Sequence, residues 1–160
     1  MSKLGFGLVE VVIASAIISV SIFSLSAVAV IGSQLQRQSL EKIRANFLAE
    51  EGVEVMRFLR DKSWSSNLAS LSPNTNYYVK FSTSTSQWSI STDFTPYIDS
   101  LFIRTVTIDN VSRDSNDSIT LSGGTNDPDS KKVTVTISWQ EQRATSTVSL
   151  SAYLLDIFDN

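Results

Sequence analysis

The sequence predicts an α+β chain: one long N-terminal helix packed on a C-terminal antiparallel β-sheet head. Three observations carry this. Residues 11–31 form an apolar run without a charge. A helical pattern continues from there to about residue 62. Near the C-terminus, in KKVTVTISWQEQRATSTVSLSAYLLDIF, apolar and hydroxyl residues alternate as strands do. The helix is expected over 6–62 and the β-rich head over 63–160.

The membrane-type segment comes first. Residues 11–31 are 21 residues long, and a helix needs about 20 apolar residues to cross a bilayer. Five of the 21 are Ser, at 15, 19, 21, 24 and 26. Serine bonds back to its own helix, so the span tolerates them. The predicted transmembrane stretch is about 11–31. A secretory signal peptide would have a shorter apolar core of about 7–15 residues followed by a cleavage site. Here the helical pattern runs straight on. Lys3 in front and Arg37, Lys42 and Arg44 behind do not fix the orientation. The short N-terminal side more naturally stays in the cytoplasm, with the head outside.

One acid, Glu10, is the only charge between Leu4 and Gln36. A carboxylate in an apolar span costs about 2.5–3.5 kcal/mol or more, and by default marks a function. Its neighbours are MSKLG-FGLVEVVIAS, in which Gly5 precedes Phe6 and Glu10 is the fifth residue counted from Phe6. This arrangement resembles the class III signal of type IV prepilins and pseudopilins. The resemblance implies that residues 1–5 are a leader peptide and that a membrane peptidase cuts between Gly5 and Phe6. It also implies that the same enzyme N-methylates Phe6. Gly7 departs slightly, since Thr or Ser is common there in the family. The family role of the acid implies that Glu10 of one subunit meets the Phe6 amine of another inside a helical bundle. A buried charge is tolerable when paired and costly when alone.

Beyond Gly32 the helix is predicted to be amphipathic. On a helical wheel Leu40, Ile43, Phe47, Leu48, Val55, Phe58 and Leu59 fall within an arc of about 160°. That face is expected to lie on the head, and Glu51 falls inside it without explanation. At 1.5 Å per residue the whole helix is on the order of 80 Å long, bent at most near Gly32 and Gly52. Glu50, Glu51 and Glu54 near Arg57 and Arg60 read as ion pairs on a solvated face. The stretch FLAEEGVEVMRFLRD also resembles one common in minor pilins and pseudopilins.

The head begins at Ser63. Val133, Val135, Ile137 and Trp139 alternate with hydroxyl residues, as do Val148, Leu150, Ala152 and Leu154. Gln140 to Arg143 would close the hairpin between them. NYYVKFSTS, SQWSIS and SLFIRTVTIDNV read as further strands, and 112–118 and 122–130 as loops. In these loops Asp114, Asn116, Asp117, Asp127 and Asp129 are hard oxygen ligands close in sequence, which suits Ca²⁺. The twelve-residue calcium-loop spacing is absent, and turns use the same residue types. No cofactor is therefore expected, and these five stand as calcium candidates only.

Composition narrows the chemistry. The 160-residue chain has a net charge of −3, which argues against a nucleic-acid surface. It contains no Cys and no His, so disulfides, thiolates, the commonest general base and the commonest zinc ligand are absent. No phosphate loop or nucleophile motif appears, and no enzyme activity is expected. The resemblance implies a structural subunit of a type IV pilus-like or type II secretion-like filament. Ala27 stands where many major pilins have Pro, and there is no Cys, so a minor pilin or pseudopilin is expected. The implied partners are the prepilin peptidase/N-methyltransferase, other pilin subunits, the inner-membrane assembly platform and the lipid bilayer. The implied location is the cytoplasmic membrane, then an extracellular or periplasmic filament. The alternative is an unprocessed single-span protein with an extracytoplasmic binding domain.

Overall fold

A computed structural model describes residues 7–94, 97–141 and 144–158. The chain is α+β. A single helix, α1 (Leu8–Lys62), is followed by a π-helical turn at Ser65–Ala69. Strands β1 (Tyr78–Ser82) and β2 (Gln87–Ser91) come next, then β3 (Ile103–Arg113) and β4 (Ile119–Thr120). Two long strands, β5 (Thr125–Glu141) and β6 (Ala144–Leu155), complete the chain. The molecule divides into two compact units, residues 1–41 and 42–160.

Unit 1 holds the first part of α1. The helix passes through Gly32 and Gly52 as one element, without the break expected there. Ser15, Ser19, Ser21 and Ser24 each donate to a main-chain carbonyl three or four residues back, at 2.8–2.9 Å. Their hydroxyls are thereby satisfied within the helix, as an apolar surrounding requires.

Unit 2 packs residues 42–62 of α1 on an antiparallel sheet of order β4-β3-β5-β6. The hairpin β1–β2 is a separate two-stranded sheet, joined to β3 through the bridge Tyr77↔Val106. Inward-facing Val106 and Ile108 on β3, and Val133, Val135 and Ile137 on β5, are fully buried. Phe102 and Trp139 close one end of this core, edge to face at 5.7 Å. Glu141 pairs with Ala144, so the β5–β6 connection is the hairpin expected, with residues 142–143 outside the described set.

The face of α1 that meets the sheet differs from the expected one. Ala45, Ala49, Gly52, Val53, Met56 and Leu59 are buried. Leu40, Ile43, Phe47 and Phe58 are 48–64% exposed. Only Val55, Leu48 and Leu59 of the expected arc face inward or lie at its edge. The reason is distance. A helix settles close on a sheet when its contact stripe is small, and Ala45, Ala49 and Gly52 provide that stripe. A Cβ on Gly52 would lie 2.6 Å from Val135 Cγ1 and 3.1 Å from Arg104 Cδ.

The expected loop at 122–130 is also corrected, because β5 already begins at Thr125. Register against β3 shifts between Asn110↔Lys131 and Val111↔Asp127, leaving Pro128 to Ser130 without β3 partners. A proline has no N–H to offer a ladder, and a bulge is where a strand tolerates it. Gly124, just before β5, has φ of +82° and leaves only 2.5 Å between an added Cβ and the Arg113 carbonyl oxygen. The chain turns there only because the residue is glycine.

Candidate functional site

The first turn of α1 explains part of what Glu10 does. Gly7 stands just before the helix, and its carbonyl accepts from the Glu10 N–H at 3.0 Å. The Glu10 side chain turns back, and its Oε2 accepts from the Gly7 N–H, also at 3.0 Å. This is the reciprocal half of a capping box, in which a third-position carboxylate satisfies a donor the helix leaves orphaned. The charge also lies at the positive end of the helix dipole. Gly5 and Phe6, the expected cleavage and methylation residues, lie outside the described residues.

Around that turn the surface is bare. Every Leu, Ile, Val and Phe from Leu8 to Ile31 is more than half exposed. The described residues contain one helix long and apolar enough to cross a membrane, and this is it. Bare apolar surface of this extent needs a cover, either lipid or other helices.

In the head, two arginines organise the polar groups, and the sequence did not single out either. Arg104 on β3 is buried beside α1. Its Nη1 lies 3.3 Å from Glu51 Oε2 and donates to the Leu48 carbonyl at 3.3 Å. Its guanidinium sits over the Trp88 ring at 5.6 Å. Burial lowers the pKa of Arg104, and Glu51 counters that shift. Glu51, unexplained in the helical pattern, is thus the counter-ion of a buried arginine. Of the other helix acids, Glu54 pairs with Arg57, while Arg60 pairs with its neighbour Asp61.

Arg113 gathers the calcium candidates. Its Nε donates to Asp127 Oδ2 at 2.6 Å, Nη1 to the Asp117 carbonyl at 2.9 Å and Nη2 to Ser130 Oγ at 3.1 Å. Asp114 Oδ1 accepts from the main-chain N–H of Asn116 and Ser118, at 2.8 and 3.0 Å, and so shapes its own turn. Asp129 offers its carbonyl to the Asp156 N–H at 2.8 Å. Among the described residues no three His, Cys, Asp or Glu side chains converge as a metal set. A cation is already present at Asp127, and it is a guanidinium.

This pairing has a pH consequence. The Arg113 hydrogen bond, followed by that of Ser130, holds the Asp127 pKa below the ordinary carboxylate value. A depressed pKa contributes stability that is complete above the ordinary value and lost as pH falls through the depressed one. Asp127→Asn is expected to remove up to about one proton from the acid unfolding slope between about pH 4 and pH 2. Denaturant midpoints across that range check it. An unchanged slope would show that the pair does not stabilise the fold.

No family model, no curated protein and no solved structure matches this chain.

Proposed function

We propose that this chain is a structural subunit, a minor pilin or pseudopilin, of a type IV pilus-like or type II secretion-like filament. One observation carries the reading. An apolar helix that is bare over its first half continues unbroken into a segment packed on an antiparallel head, and its single acid stands in its first turn. The Gly5-Phe6…Glu10 spacing supports it. Residues 1–5 are the leader, 6–62 the stem and 63–160 the head. The unassembled chain sits in the cytoplasmic membrane through its apolar segment with the head outside. The prepilin peptidase cuts after Gly5 and methylates Phe6. The assembly platform then lifts the stem into a bundle, where lipid around Leu8–Ile31 is exchanged for neighbouring stems. Glu10 there meets the Phe6 amine of a neighbour and sets axial register.

A second reading has one observation in its favour. The bond from the Gly7 N–H gives Glu10 a task inside its own chain, with no neighbour required. An unprocessed, membrane-anchored extracytoplasmic binding domain would keep the acid for that purpose alone. The two readings separate at the N-terminus. Mass spectrometry of the chain from its native cells is expected to show a protein beginning at N-methylated Phe6. A chain still beginning at Met1 would sink the filament reading.

A further inference from the structure

The two edges of the four-stranded sheet are built differently. On one side β4 is two residues long, and beside it β3 and β5 lose register around Pro128. Short strands, bulges and prolines are how sheets keep an edge from recruiting another strand. The other edge, β6, has none of these. It runs twelve residues and pairs with β5 without a register break from Glu141↔Ala144 to Ser130↔Leu155. It contains no charged residue, proline or glycine. Leu154 is its one buried residue, so among the described residues neither a helix nor a loop covers the strand. In an antiparallel strand alternate main-chain groups face away from the partner. The free side of β6 therefore carries a row of open donors and acceptors.

We infer that this edge is a docking site for an extended segment of another protein, which adds antiparallel as a further strand. The side chains define the segment. One face of the sheet already pairs hydroxyls across strands, Thr134 with Ser151 and Thr136 with Ser149, each at 2.9 Å. Those serines are the row an added strand would meet. The other face offers Val148, Leu150 and Ala152, incompletely covered because β6 is the last strand. The segment that fits is uncharged, with Ser or Thr at alternate positions and aliphatic residues between them. A charged residue there would find no counter-charge on β6.

A second copy of β6 has this composition, but its geometry is wrong. A two-fold axis that pairs two β6 edges antiparallel stands normal to the sheet. It reverses every direction in the sheet plane, including that of the α1 residues lying on it. Two chains anchored through α1 in one bilayer cannot be related in that way.

The test uses the full chain in detergent micelles. The probe is a synthetic peptide of alternating Thr and Val, about ten residues long, with lysines at both ends for solubility. Hydrogen exchange is followed at the β6 amides with and without about 1 mM peptide. The amides facing away from β5 are expected to exchange at least about tenfold more slowly with peptide. Leu150→Lys is expected to lose that protection, because an added strand would bury the lysine. The side chain is already 38% exposed, so the fold accommodates it, and unchanged β3 and β5 exchange verifies that. Should that variant fail to fold, the wild-type comparison still decides. Three results would each overturn the inference: no β6 protection by the peptide, protection that persists in a folded Leu150→Lys, or peptide-independent protection through pairing of two copies.

Discussion

Replacing Gly52 with leucine is expected to lower the melting temperature of the head by about 10 °C or more. The Cβ alone would lie 2.6 Å from Val135 Cγ1, and Val135 is fully buried on the central strand β5. Val135 is β-branched and has few rotamers into which to retreat. Alanine at this position gains about 1 kcal/mol of helix propensity and loses about 1–3 kcal/mol to overpacking. Leucine adds three further carbons to the same closed space, so the loss exceeds about 3 kcal/mol. At roughly 2–8 °C per kcal/mol for domains of this size, a shift of 10 °C follows. Trp64, Trp88 and Trp139 all lie in unit 2 and report the transition by fluorescence of the full chain in detergent. Phe47→Ala is the contrast. Phe47 is 64% exposed, and its truncation is expected to change stability by no more than about 0.5 kcal/mol. If Phe47→Ala destabilised more than Gly52→Leu, the helix would be packed on its other face.

That contrast shows where the sequence was legible and where it was not. The helix, its length and the long strands follow from periodicity, which is a local property. Val133, Val135, Ile137 and Trp139 face inward as their alternation says. The orientation of α1 does not follow, because residues 40–59 carry two apolar stripes. Leu40, Ile43, Phe47 and Phe58 form the more hydrophobic one. Ala45, Ala49, Gly52 and Met56 form the one that fits. Hydrophobicity ranks the first higher, whereas packing density favours the second, since interiors close up around small residues. Glu51 marks the discrepancy: an acid inside a supposed core face signals that the face is shifted. The Thr125–Ser130 segment was illegible for a different reason. Asn, Asp and Pro are turn residues in any local reading, and only pairing with β3 and β6 holds them extended. At the candidate site, the acid and its spacing were visible in sequence. The Gly7 cap was not singled out, although glutamate at the third helical position is its usual signal.

Glu10→Ala is expected to abolish entry into filaments while leaving membrane insertion intact. Insertion is not harmed, because removing an acid from an apolar span relieves about 2.5–3.5 kcal/mol rather than adding to the cost. Inside the single chain the carboxylate caps the Gly7 N–H at 3.0 Å, a contact worth about 0.5–2 kcal/mol. In the proposed bundle it also faces the Phe6 amine of a neighbour. Removing one partner of a buried ion pair costs about 3–5 kcal/mol. At 1.4 kcal/mol per factor of ten, incorporation falls by more than about 100-fold. Glu10→Gln separates the two roles, since its amide oxygen still accepts the Gly7 N–H but carries no charge. The readout is the ratio of sheared-filament to membrane-bound chain in cells that express each variant beside the native subunits. If both variants stay in the membrane fraction, the charge is what assembly reads. Recovery by Gln alone would reduce Glu10 to a helix cap, and normal entry of Ala would remove it from assembly altogether.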